Sequence, residues 1–266
     1  MSSASSRSSI ISSLLTNEPS TRAKKLKKYK CLLGVSGSVA AVKLPELALM
    51  LAKDYEILIV CTKAAKFFLE KSKEYNEQAW NEFMEMDGLS MIFTEDDEWE
   101  LWNRVGDPVL HIELRRWADV IVVAPASADL LSKASVGIAD TLLLSVMRAW
   151  DFTKPAILCP AMNTCMWTHP STYTSLHILR SWGWSVVEPV SKKLACNDIG
   201  IGALASNKEI QTAIYNRLRN DNNAEKAGDV AISKTTQQAN FLQRSVFSLA
   251  FLGAIHMALS LINANT

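Results

Sequence analysis

Short, unbroken apolar runs recur through the middle of this chain, and each leads through a loop toward a stretch of helical periodicity. Residues 31–35 read CLLGV, 57–61 ILIVC, 120–124 VIVVA and 156–159 AILC, with a fifth candidate at 185–187. Such runs lack the apolar–polar alternation of a half-exposed strand and suit strands covered on both faces. After the first run, Val39, Ala40, Leu44, Leu47, Ala48 and Leu51 fall on one face at helical spacing. Strand, loop and helix in alternation predict a Rossmann-like or flavodoxin-like α/β fold, three layers around a central parallel sheet. Its ligand belongs outside the carboxyl ends of the strands. Residues 70–107 break the rhythm and read as an excursion over the surface or the cleft, with a helix near 75–84. Trp80, Trp99 and Trp102 there read as packing residues.

The first strand end carries GVSGS over residues 34–38. Glycine lets backbone approach an anion, Ser38 offers a hydroxyl, and the amides that open the next helix favour negative charge. The third glycine of a dinucleotide fingerprint is missing, and the second strand ends in Cys61 and Thr62 rather than an acid, which points to a mononucleotide. Taken alone the loop is equally a tight turn without a ligand. Thr62 and Ser127 place hydroxyls at two further strand ends, and in this fold the three converge on one crevice.

Charge excludes one class of partner. Lys plus Arg number 28 against 27 Asp plus Glu, so no whole-chain field attracts nucleic acid. Cys31, Cys61, Cys159, Cys165 and Cys196 show no structural-zinc spacing and read as free thiols of a reducing compartment, which suggests a cytoplasmic protein. His169 and His177 are eight residues apart without a carboxylate at i+4, so no metal is expected. Residues 1–30 are serine-rich and basic and read as a disordered leader, with organelle targeting as the alternative. A single α/β domain spans 31–219, and 220–244 is a polar linker. Residues 245–266 contain no Lys, Arg, Asp or Glu. As a helix, 245–262 would span about 27 Å, marginal for a bilayer, which leaves membrane contact and packing on protein as alternatives.

Three motifs carry a resemblance. GDPVLHIELRRWAD over 106–119, PAMNTCMW over 160–167 and KKLACNDIGIG over 192–202 resemble, in that order, the histidine motif, second motif and substrate-recognition clamp of the homo-oligomeric flavin-containing Cys decarboxylases. The resemblance covers about residues 31–218. It implies FMN as cofactor, a homotrimer with shared active sites, and decarboxylation of 4'-phospho-N-pantothenoylcysteine to 4'-phosphopantetheine in coenzyme A biosynthesis. The substrate's cysteine moiety would be oxidised to a thioaldehyde, lose CO2 as an enethiolate, and be reduced again, while the protein aligns it with the cofactor.

By the same resemblance His111 and Cys196 are catalytic. A histidine can accept the thiol proton, and a thiol can donate one near neutral pH. Alone, His111 would be an ordinary half-buried histidine and Cys196 a small hydrophobe. Asn163 is assigned to the substrate carboxylate, where its bland role is a turn, and Lys193, Leu194 and Ala195 to substrate recognition. Gly37, Ser38, Val39, Thr62, Ser127, Ala128, Asp129, Leu130 and Ala161 would hold the cofactor. The sequence departs from the family at Asp129 and Leu130, where Asn-Thr is usual, at Asn197, where Gly is common, and at Ala139 and Thr141 around Asp140, where the pattern is Cys-Asp-Asn. The alternative function is a non-catalytic paralogue, a regulatory subunit or heterotrimer partner. The presence of His111, Asn163 and Cys196 in one chain favours a self-sufficient enzyme.

Overall fold

The first apolar run forms β1 (Tyr29–Val35) in the computed structural model, which describes residues 28–193 and 199–219. All of these except Arg219 belong to a unit ending at Leu218, and the second unit, Arg219–Thr266, otherwise lies outside the described residues. The apolar segment at 245–262 and most of the leader are therefore also outside them. Among the described residues no helix is long and apolar enough to cross a membrane.

After β1 a 3-10 turn (Val39–Lys43) opens into α1 (Leu44–Ala52), followed by β2 (Tyr55–Cys61) and α2 (Lys63–Leu69). The excursion holds α3 (Ser72–Tyr75), α4 (Glu77–Glu85) and a two-residue strand, β3 (Ile92–Phe93). α5 (Glu95–Leu101) and α6 (Leu110–Trp117) return the chain to β4 (Val120–Ala126). α7 (Ala128–Ser135) and α8 (Leu142–Arg148) precede β5 (Ala156–Pro160); α9 (Thr164–Trp167) and α10 (Pro170–Ser181) precede β6 (Ser185–Val186). An antiparallel hairpin follows, β7 (Val190–Lys193) with β8 (Ile199–Ala203), and then a helix over residues 207–219, α11.

The parallel strands lie in the order β3-β2-β1-β4-β5-β6. The order reverses between β1 and β4, which makes that junction the switch point where ligands of doubly wound sheets bind. Because side chains alternate, β1 sends Cys31, Leu33 and Val35 into one core with Leu44, Leu47, Phe83, Ile210 and Ile214, and Leu32 into the other with Leu114, Leu131, Leu143 and Leu179. Each such side chain contributes about 1.5–3 kcal/mol on burial. Helix starts follow local chemistry: Thr62, Asn76, Ser127 and Thr141 accept backbone N–H bonds as N-caps, and Pro45 and Pro170 stand in first turns.

Several expectations change. β1 begins two residues early, at Tyr29, where the Asp119 carboxylate accepts the Lys30 N–H at 2.8 Å. Gly34 belongs to the strand rather than the loop, and a Cβ there would lie 2.6 Å from Leu143, so its bareness serves packing. Trp80 packs on the core, but Trp99 and Trp102 are exposed, which corrects their reading as packing residues. β3 is a two-residue strand that pairs with β2 through Ile59–Ile92 and Val60–Phe93, too short a run to stand out in an acidic, Trp-rich segment.

Candidate functional site

At the switch point Ser36 ties the β1 loop to the β4 loop. Its Oγ donates to the Pro125 carbonyl at 2.9 Å and accepts the Ser127 N–H at 2.7 Å, all in buried surroundings. The sequence reading passed over Ser36, because a serine between two glycines looks like turn filler. Beside it Gly37 lies against α2, where a Cβ would come 2.6 Å from that of Ala64. Ser38 caps the 3-10 turn, Thr62 caps α2 and Ser127 caps α7, each through its oxygen. Hydroxyls thus stand at the ends of β1, β2 and β4, with Val39 half exposed. A hydroxyl that accepts a cap bond still carries a proton to donate, which suits phosphate or polyol oxygens.

Ala128 and Asp129 open α7, and Ala161, buried behind β5, donates its N–H to Ala126. Leu130 differs from its neighbours. Its side chain is in the core and its N–H is taken by Ser127, so it offers no side chain to a cofactor. The exposed Asp129 carboxylate meets Lys133 at 3.4 Å, and Lys133 also meets Asp140 at 3.0 Å. The charge introduced by Asp129 is therefore partly offset one helical turn later. At the end of β3 the carboxyl of Glu95 is held above the usual range, first by burial and then by neighbouring acids.

Asn163 caps α9, its Oδ1 accepting the Cys165 N–H at 2.8 Å. The hairpin docks on this loop. Met162 N–H donates to the Gly202 carbonyl at 2.9 Å. A Cβ at Gly202, whose φ is +145°, would lie 2.3 Å from the Met162 carbonyl oxygen, and one at Gly200 2.4 Å from the Thr164 hydroxyl. Only glycine permits both approaches. Lys193 ends β7, and Leu194, Ala195 and Cys196 lie outside the described residues between the two strands.

His111, in the first turn of α6, brings Nδ1 against the Glu98 carboxylate of α5, both side chains being partly buried. Glu98 was invisible as a partner in the sequence, being one acid in a run of several. With Nδ1–H donated to the carboxylate, neutral imidazole keeps Nε2 as its acceptor. Arg115 pairs with Asp151 at 3.7 Å and Arg116 with Glu113 at 2.7 Å, structural roles for both. His169 caps α10 and His177 stacks on Tyr173. Among the described residues no cluster of three or more His, Cys, Asp or Glu could hold a metal ion.

A doubly wound sheet with hydroxyls at three strand ends, a docked hairpin and a carboxylate-held histidine defines a nucleotide-binding α/β protein of mononucleotide type. The Flavoprotein family model matches residues 19–219. Phosphopantothenoylcysteine decarboxylase of Mus musculus is 45% identical over 190 residues, 71% of this chain and 85% of the mouse protein. The Arabidopsis thaliana protein of that name is 43% identical, over 73% of this chain and 85% of its own length. Among solved structures, a PPC decarboxylase mutant complexed with pantothenoylaminoethenethiol is 42% identical with a TM-score of 0.63, over 71% of this chain and 97% of that one. The FMN-binding protein AtHal3 superposes with a TM-score of 0.61 at 42% identity, over 71% of this chain and 96% of its own. The chain belongs to the flavoprotein family that contains the phosphopantothenoylcysteine decarboxylases.

Proposed function

We propose that the chain is an FMN-dependent decarboxylase converting 4'-phospho-N-pantothenoylcysteine to 4'-phosphopantetheine in coenzyme A biosynthesis. The observation that carries this reading is the docking of the β7–β8 hairpin on the Asn163 loop, which joins the clamp sequence to the residue assigned to the substrate carboxylate. The crevice suits a flavin mononucleotide. No acid closes β2, as a dinucleotide ribose would require, and the donor set is hydroxyl and amide. Gly37, Ser38, Val39, Thr62, Ser127, Ala128, Asp129 and Ala161 would hold FMN, with Leu130 contributing backbone alone. Bound FMN would supply reversible two-electron chemistry at the substrate's cysteine carbons.

The chain's own residues bind, orient and move protons. With Asn163 Oδ1 fixed on the Cys165 N–H, the side-chain amide turns its NH2 the other way, the polarity a carboxylate needs. His111 would take the thiol proton at Nε2 while Glu98 holds Nδ1. Lys193, Leu194 and Ala195 would recognise substrate, and Cys196 would return a proton to carbon at Sγ.

A homotrimer in which one subunit's histidine serves a neighbour's crevice would complete the site. The exposed Trp99, Val105, Val136 and Phe152 offer apolar surface for such contacts. Residues 31–219 would carry the chemistry, between a leader at 1–30 and a linker at 220–244 leading to the apolar 245–266. Buried free thiols at Cys31, Cys61 and Cys159 fit a cytoplasmic location.

The test is anaerobic turnover of 4'-phospho-N-pantothenoylcysteine by the full chain reconstituted with FMN, following CO2 and phosphopantetheine together. Equal release of both establishes the activity. A folded, flavin-loaded protein that releases neither is a non-catalytic paralogue.

A further inference from the structure

The C-terminal ends of α7, α8 and α10 border an apolar cleft of about 150 Å3. Leu144, Met147 and Trp184 are buried in its wall, while Ile138, Phe152 and Trp182 are exposed around it. It stands apart from the crevice. Ser127 caps α7 at the crevice end, and Ala134, which lines the cleft, lies seven residues on, about 10 Å further along the helix.

Two glycines shape the cleft. Gly137 has φ of +77°, and a Cβ there would stand 3.0 Å from Nη1 of Arg148 and 3.4 Å from its Cζ, so bare backbone gives the guanidinium its place. Gly183 has φ of +108°, and a Cβ there would stand 3.2 Å from the Phe152 ring. That ring in turn meets Trp184 edge-on, with 6.0 Å between centroids. The Arg148 side chain forms no hydrogen bond or ion pair among the described residues. Of the acids adjoining in sequence, Asp140 is engaged by Lys133 at 3.0 Å and Asp151 by Arg115 at 3.7 Å. The carbonyls that end α7 are also taken, Lys133 accepting the Ile138 N–H and Ala134 the Gly137 N–H, each at 3.0 Å.

A guanidinium offers five donors and accepts nothing, and its planar fork matches a carboxylate. A cavity of this size holds roughly one six-membered ring. We propose that the cleft binds a small aromatic carboxylate, its ring against Met147, Phe152 and Trp182 and its carboxylate on Arg148, as a site separate from the flavin crevice. The aromatic walls supply apolar contact, and the free cation selects the charged head.

Phenylacetate is the probe, titrated calorimetrically into the full FMN-loaded chain, with acetate and benzyl alcohol as analogues lacking the ring and the charge. Phenylacetate should bind more tightly than either, without releasing FMN. Arg148→Gln should weaken phenylacetate about 10-fold, equivalent to ~1.4 kcal/mol, and leave benzyl alcohol unchanged. Trp182→Ala should weaken both ring compounds about 5-fold. Both side chains are exposed, so neither change opens the core, and unaltered flavin binding verifies that each variant is folded. Equal affinity for phenylacetate and acetate would leave only a surface cation and overturn the site. Phenylacetate binding that survives both substitutions, or that displaces FMN, would place the ligand elsewhere and overturn it too. So would a wild-type chain that binds no phenylacetate, the result expected if a neighbouring subunit fills the cleft.

Discussion

Replacing Ser36 with alanine tests whether the switch point depends on one side chain. Ser36 Oγ spans the two loops, 2.9 Å from the Pro125 carbonyl and 2.7 Å from the Ser127 nitrogen. Alanine keeps the Cβ, so the change removes hydrogen bonding with almost no volume. The Pro125 carbonyl retains the Ser36 N–H at 3.1 Å and loses only a second donor, whereas the Ser127 N–H is left buried without an acceptor. The lost bond is worth about 1 kcal/mol and the orphaned amide about 1–3 kcal/mol, a total near 3 kcal/mol. For a domain of roughly 200 residues that corresponds to a Tm about 6–12 °C lower. Thermal unfolding followed by circular dichroism, with and without FMN, measures it. The drop should persist without cofactor, because the staple joins protein to protein. A Tm within about 1 °C of wild type would refute the reasoning.

Other outcomes follow from the same geometry. Glu98→Gln should lower kcat about 10-fold or more with little change in KM, since it disturbs the orientation of His111 rather than substrate binding; steady-state kinetics with unaltered kcat would make the pair merely structural. Gly202→Ala should abolish turnover while the parallel core melts nearly as before, because a Cβ 2.3 Å from the Met162 carbonyl lifts the hairpin from its seat; retained activity would mean that the hairpin docks differently. Iodoacetamide at pH 8 should label Cys165 well before Cys31, Cys61 or Cys159. Burial pushes the Cys31 and Cys61 thiols up to about 12 and that of Cys159 higher still, so reactive thiolate is scarce until unfolding. Peptide mapping by mass spectrometry reads the order, and early labelling of Cys159 would contradict the packing.

The parallel core was legible because burial on both faces leaves a plain mark: four apolar runs became β1, β2, β4 and β5 within two residues of their expected ends. β3 left no such mark, since two residues at a sheet edge need little apolar length. The hydroxyls at Ser38, Thr62 and Ser127 could be read from their places after strands. Their service as helix caps follows the same rule, because the residue that ends a strand here also starts a helix. What escaped were pairings across sequence. Ser36 finds Pro125 and Ser127 some ninety residues on, and Glu98 finds His111 from another helix. No local pattern encodes which of several acids meets which ring. Gly34 misled for a related reason, since a glycine made necessary by Leu143 looks in sequence like one made necessary by a ligand.

Among the described residues the hairpin meets the Asn163 loop through the main chain of Gly202 and through the bare Gly200 and Gly202 of β8. A surface of that kind constrains two positions tightly and asks little of the rest. Other positions of β8 can therefore change over evolutionary time without disturbing the seat beneath the hairpin, provided Gly200 and Gly202 stay.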